Sequence, residues 1–266
     1  MANYDPNQTV RPMTGARADA GMIDQGLRSY MLSVYNYMAL GLAITGVAAI
    51  VMFNLAITGD ASSAAMIDGT AAQIGAGQYL TSLGVALYTS PLKWVVMLAP
   101  LGMVFFLSFR VNKMSFSAAQ TTFWLFAAVM GISLSSIFLV YTQGSIARVF
   151  FITAASFGAL SLFGYTTKKD LSAWGSFLFM GLIGVIIASL VNMFIGSSAL
   201  QFAISVIGVL VFAGLTAYDT QQIKEMYHAG DSRDVGGRKA IMGALRLYLD
   251  FINLFLMLLQ LFGNRE

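Results

Sequence analysis

Seven long apolar stretches separated by short polar ones set the pattern of this chain. Their approximate limits are 30–57, 92–109, 116–141, 147–165, 172–195, 199–222 and 240–262. Each can cross a hydrocarbon core of about 30 Å, which takes about 20 helical residues. The pattern predicts an all-α integral membrane protein, with seven transmembrane helices in a single domain over 28–266. Residues 1–27 are polar, with Pro6, Pro12 and mixed charges. They read as a disordered cytosolic tail, and they lack the basic start, short apolar core and cleavage site of a signal peptide. The one long connection, 58–91, is rich in Ala, Gly and Ser. It reads as an external loop and a tolerated insertion, since surface loops accept length at small cost. Within it "QYLTSLGVALY" (78–88) is a candidate short helix on the membrane surface.

Composition supports the membrane reading. The chain is 58% hydrophobic and 10% charged, where soluble domains average about 25% charged. It has no Cys and a single His, His228. Disulfides, thiol chemistry, His-based metal clusters and His triads are thereby excluded. A net charge of +3 without a basic stripe argues against a nucleic-acid partner.

The placing of the positive charges predicts topology. Eleven Lys and Arg fall on one side of the seven spans: Arg11, Arg17, Arg28, Arg110, Lys113, Lys168, Lys169, Lys224, Arg233, Arg238 and Lys239. Three fall on the other side: Lys93, Arg148 and Arg265. The asymmetry puts the N-terminus in the cytosol and the C-terminus outside. A re-entrant seventh span is the alternative, and it would return the C-terminus to the cytosol.

Two of the twelve acidic residues lie within apolar spans. Asp219 is in the sixth and Asp250 in the seventh, inside "LYLDFINLFLMLLQLF" (247–262). A carboxylate at the centre of a span costs at least ~2.5–3.5 kcal/mol on insertion scales, so such residues mark functional sites by default. Helical spacing gathers Gly243, Arg246, Asp250, Asn253 and Gln260 on one face of the seventh span. It gathers Ser205, Gly208, Thr216, Asp219 and Gln222 on a face of the sixth. The two spans are consecutive and antiparallel, so these faces point to an interior contact or a wet cavity. Arg246, one turn before Asp250, is the nearest counter-charge, and Arg110 is a second candidate. The expected boundaries leave the two aspartates about 10 Å apart in depth at 1.5 Å per residue. Contact then needs a later start of the seventh span, a tilt, a broken turn or a bridging water.

Other features carry less. "GDSRDVGGRK" (230–239) is basic and Gly-rich but lacks the order of a phosphate-binding loop, and reads as a solvated loop with His228 beside it. "GISLSSIF" (131–138) spaces Ser133 and Ser136 for close helix packing.

The two aspartate motifs carry a resemblance. "GLTAYDTQQIK" (214–224) followed by "LYLDFINLF" (247–255) resembles the signature of the Bax inhibitor, or lifeguard-like, family. "LFGYTTKKDLS" (162–172) and "LSSIFLVYT" (134–142) are similar to its bacterial inner-membrane branch. The likeness covers roughly 28–265. It implies a central seventh helix surrounded by two three-helix layers. It also implies a pH-sensitive, calcium-permeable leak channel of the inner membrane, gated by Asp219 and Asp250. Arg110 in "FFLSFR" matches the arginine that ends the second helix of such proteins. The longer loop between the sixth and seventh spans, the 58–91 loop and Arg246 depart from the compact members.

On this reading calcium is a permeant ion rather than a cofactor. It takes six to eight oxygens, of which Asp219, Asp250, Asn253 and Thr216 supply some and water the rest. The expected partners are therefore the lipid bilayer and the calcium ion. Three other functions use the same features. An intramembrane aspartyl protease also places Tyr-Asp in one helix and Asp in the next, but "LYL" stands before Asp250 where such enzymes carry Gly-x-Gly. A regulatory module would bind another membrane protein, such as a quality-control protease, through the N-terminal tail or the loop between spans six and seven. A proton-coupled transporter would use the same carboxylates. The expectation is a channel and not an enzyme.

Overall fold

The computed structural model describes residues 14–265 apart from 68 and 76, with side chains from residue 25 onward. Its helices are α1 (Thr14–Ala56), α2 (Ser82–Tyr88), α3 (Leu92–Arg110), α4 (Phe116–Leu134), α5 (Gln143–Thr166), α6 (Ser172–Ile195), α7 (Ser198–Glu225) and α8 (Arg233–Phe262). Seven of the eight are long and apolar enough to cross a membrane. They are the seven expected spans, and the bundle is all-α. The first helix begins at Thr14, well upstream of the boundary expected at residue 28. Residues 1–13 of the expected tail lie outside the described residues. The last helix begins seven residues before the expected 240 and runs unbroken for 30 residues, a rise of about 45 Å. An unbroken helix of that length is long enough to cross the membrane.

The turns explain why the chain changes direction where it does. Ser115, Thr142, Ser197 and Ser232 stand at the N-caps of α4, α5, α7 and α8, and their side chains accept from Ala118, Ser145, Leu200 and Val235 N–H. These hydroxyls satisfy amides that a helix start leaves unpaired. Gly196 ends α6 in the left-handed region at φ 66°, so only two residues separate α6 from α7.

The helices form two layers around α8. One layer is α1, α4 and α3 in spatial order, and the other is α5, α7 and α6. Between them α8 packs against α1, α4, α5 and α7. It is the most buried of the seven spans. Glycines mark the closest crossings. A side chain at Gly131 of α4 would collide with the Thr45 carbonyl of α1, and one at Gly164 of α5 with the Ala217 carbonyl of α7. The expected packing serines do less. Ser136 Oγ donates to the Ser133 carbonyl within its own helix end, and it is Gly131 that lets α4 approach α1.

The 58–91 loop has its own structure. Strands β1 (Ile57–Thr58), β4 (Gln73–Gly75) and β5 (Gln78–Leu80) form an antiparallel sheet in the order β1-β5-β4. β2 (Met66–Ile67) pairs with β3 (Thr70–Ala71). Residues 78–80 are thus a strand, and the expected surface helix is confined to α2. The reason is local. Thr81 N–H bonds the Ala56 carbonyl, while its hydroxyl donates to the Leu55 carbonyl and caps α2. The preceding residues are thereby held extended beside β1. Tyr88 Oη then reaches the buried Ser135 hydroxyl at 2.9 Å, which pins α2 to the end of α4.

One face of α8 is locked by Tyr248. Its ring is fully buried and meets Phe123 and Phe126 of α4 edge-on. Its hydroxyl lies 2.6 Å from Thr45 Oγ1, which donates in turn to the Gly41 or Ala127 carbonyl. Tyr248→Phe removes one net hydrogen bond while Thr45 keeps its carbonyl partner. We expect a loss of about 1 kcal/mol, and about 3–5 kcal/mol for Tyr248→Ala, which leaves a cavity. Thermal unfolding in detergent measures both, and equal stability of wild type and Tyr248→Ala would contradict this account.

Candidate functional site: a carboxyl pair at a lateral cavity

The register between α7 and α8 fixes the site. Lys239 Nζ donates to the Met226 carbonyl, Gly243 faces Ile223, and Met257 lies over Gly208. The same register sets Arg246 opposite Asp219, with Asp250 one turn further along α8. Side-chain length closes the remaining step, and both carboxyl groups line the same cavity. The depth offset anticipated from sequence is smaller because α8 starts earlier and overlaps α7 from its first turns.

The two carboxyls are not equivalent. Asp250 is only 5% exposed, and its Oδ2 has no hydrogen-bond partner among the described residues. Asp219 is partly exposed. Arg246 lines the same cavity as both, but among the described residues it makes no salt bridge. A single proton held between the carboxyls would leave one negative charge facing one guanidinium. Two bare carboxylates would repel strongly in a low dielectric.

Asp219, Arg246, Asp250 and Asn253 line a cavity of about 990 Å³. Its walls are mostly apolar and come from α3 and α6, with Pro100 on one side and Ser189 on the other. The cavity lies in the gap between α3, which leans on α4, and α6, which leans on α7. Asn253 Nδ2 donates to the Leu249 carbonyl at 2.8 Å, which leaves its side-chain oxygen to the cavity. Tyr218, beside Asp219, packs where a side chain at Gly175 of α6 would otherwise stand.

Two expected site residues sit elsewhere. Thr216 is fully buried and donates to the Phe212 carbonyl at 2.7 Å, outside the cavity lining. Arg110 is exposed at the end of α3 and is likewise not a lining residue. Among the described residues no cluster of three or more His, Cys, Asp or Glu is placed to hold a metal ion. The cavity oxygens are fewer than the six to eight that calcium takes, so water would complete any shell there.

Sequence reasoning picked out Gln260 and Ser205 but missed Gln201 and Asn192. Gln260 Oε1 accepts from Gln201 Nε2 at 2.6 Å and from Ser205 Oγ at 2.8 Å. Asn192 Nδ2 donates to Gln201 Oε1 at 3.0 Å, and Asn192 Oδ1 accepts from Ser197 N–H. This amide ladder ties α6, α7 and α8 together near the α6–α7 turn. The signal was present as three amides near the same ends of three apolar spans. Beyond it the C-terminus folds back: Thr142 N–H bonds the Asn264 carbonyl, and Arg265 stacks over Tyr141.

Fold and site together define a polytopic membrane protein with a central helix and two aspartates, Asp219 and Asp250, lining one internal cavity. Residues 27–266 match the family model described as "Inhibitor of apoptosis-promoting Bax1", and the chain belongs to the Bax inhibitor family. It is 48% identical over 243 residues to an uncharacterised protein of Rickettsia prowazekii, covering 91% of this chain and 92% of that one. It is 45% identical to the inner membrane protein YbhL of Escherichia coli, covering 91% and 94%. An uncharacterised protein of Caulobacter vibrioides is 43% identical, with 97% of each chain covered.

The ladder gives a test of how this end of the bundle is held. Gln260→Leu removes the acceptor and strands Gln201 Nε2 in an apolar layer. A buried donor left unpaired costs about 1–3 kcal/mol, so thermal stability in detergent should fall, and Gln260→Glu, which restores an acceptor, should retain most of it. An unchanged Tm for Gln260→Leu would show that the ladder does not hold the helices.

Proposed function

We propose that this chain is a pH-sensitive, calcium-permeable leak channel of the bacterial inner membrane, with its N-terminus in the cytosol. The observation that carries the reading is the pairing of Asp219 and Asp250 at a cavity inside an otherwise apolar bundle. A carboxyl pair of this kind has few purely structural uses. Asp250 is among the most costly residues in the fold to bury, and one of its oxygens is unpartnered. In this reading the pair is the cation-attracting element of the pathway, and Asn253 adds a neutral oxygen. Proton loss from the pair doubles its negative charge and alters its hold on Arg246 and on a passing cation. The two titration steps belong to the pair rather than to either residue.

The test is ion flux into liposomes containing the purified protein, with calcium compared against potassium and protons. Wild-type flux should change sigmoidally between about pH 5.5 and pH 8, because the second carboxyl ionises only against the charge of the first. Asp219→Asn or Asp250→Asn should flatten that transition, and the double variant should do little more than either alone. Constant wild-type flux across the range, or an Asp219→Asn variant with the full transition, would defeat the shared-proton mechanism.

Orientation is tested separately. The split of eleven cationic residues against three puts a reporter fused after Gly236 in the cytosol and one fused after Ala72 outside. Either reporter on the opposite side would reverse the topology.

A further inference from the structure

A second, separate groove runs along the seam between the two layers, where α1 and α5 meet. It encloses about 590 Å³ and is lined by Arg28, Met31, Leu32 and Tyr35 of α1 and by Phe157, Gly158, Ser161, Leu162 and Tyr165 of α5, with little polar surface. Leu32 and Leu162 at its edges are 51% and 63% exposed, so the groove opens sideways to the hydrocarbon. Its floor is polar but saturated. Tyr35 Oη lies 2.7 Å from Ser161 Oγ, which lies 2.9 Å from Thr220 Oγ1, and Thr220 donates to the Thr216 carbonyl.

The groove has a charged mouth and an apolar body. The antiparallel register that joins Tyr35 to Ser161 carries Arg28 to the level of the turn after α5, where the exposed Lys168 and Lys169 stand. Lys224 reaches the same end, with Nζ on the Tyr165 carbonyl at 2.9 Å and over the Tyr165 ring. Asp170 in that turn is occupied by Ser172 N–H at 2.8 Å. An exposed guanidinium at the membrane surface, above a slot of Met, Leu and Phe and beside a tyrosine, matches the two ends of a phospholipid. Basic pockets between transmembrane helices favour anionic headgroups, and interfacial tyrosine suits the level between headgroup and acyl chain.

We infer that the α1–α5 groove is a binding site for one anionic phospholipid, its phosphate on Arg28 and an acyl chain in the slot beside Gly158. The leaflet follows from the proposed orientation and is the cytosolic one, where the excess of basic residues lies. The site is separate from the carboxyl pair. The floor hydroxyls nevertheless run from the groove to Thr220, the neighbour of Asp219, so an occupant would press on the helix that carries the pair.

Gly158 offers a clean way to close the slot. A Cβ built there meets nothing within 4 Å, so the side chain of Gly158→Trp starts in open space at the groove. The experiment uses the purified full-length protein in detergent, titrated with phosphatidylglycerol or phosphatidylcholine. The readouts are thermal stabilisation and lipid retained in native mass spectrometry. Wild type should prefer phosphatidylglycerol. Arg28→Gln should reduce that preference about fivefold, the factor for roughly 1 kcal/mol per basic side chain near the surface. Gly158→Trp should abolish retention of both lipids at this site. Equal stabilisation of wild type by the two lipids, or full preference in Arg28→Gln, would overturn the assignment. Arg28 is exposed at a helix end, so its variant tests the site even if Gly158→Trp fails to fold. Neither readout involves ion flux, so failure here leaves the channel reading untouched, and the converse also holds.

Discussion

The absence of water from the hydrocarbon core is the constraint on which the rest of this structure depends. Every buried polar group must find its partner inside the protein, and the bundle answers with local devices. Hydroxyls of Thr45, Thr153 and Thr220 bond carbonyls one turn back. Amides of Asn192, Gln201 and Gln260 serve one another. Gln221 serves the Lys169 carbonyl and the Leu171 N–H of the turn between α5 and α6. Against that background three buried side-chain atoms lack a partner among the described residues, Tyr30 Oη, Trp124 Nε1 and Asp250 Oδ2, and only the last belongs to a carboxyl group.

The pattern of helices was legible in the sequence because hydrocarbon thickness is a strong filter. Spans such as Ser172–Ile195 coincide with the expected limits, since a bilayer leaves little freedom in where an apolar helix starts and stops. What was not legible were features decided by pairing. The first turns of α8, "RDVGGRK", read as loop because they are charged and carry two glycines. They are helical because Ser232 caps them and Arg238 anchors them on the Met114 carbonyl at 2.8 Å. That early start shifts the register and brings Asp250 to Asp219.

The candidate site divides the same way. Asp219, Asp250, Arg246 and Asn253 were found because charge or amide in an apolar run is a strong signal, and the cavity gathers all four. Thr216 was grouped with them by helical spacing alone. Its hydroxyl has a cheaper local partner in the Phe212 carbonyl, a choice that spacing cannot register. The 58–91 sheet was hidden for a related reason: strands of two or three residues have too few positions for alternation to show.

The two faces of α8 divide its labour. Tyr248 is completely enclosed, and the Tyr248–Thr45 bond holds its face against α1. Asp250 and Arg246 project on the side where α3 and α6 leave a gap. The two helices that wall that gap are the least buried of the seven spans. Each of the two helices packs chiefly on one transmembrane neighbour, and α3 carries Pro100, which cannot donate to the Val96 carbonyl and so weakens its own helix at cavity level. The tightly packed side of α8 therefore lies behind the two carboxyls, and the sparsely packed helices lie in front of them. A central helix anchored on its dry side presents Asp250 to the cavity from the most enclosed element of the bundle.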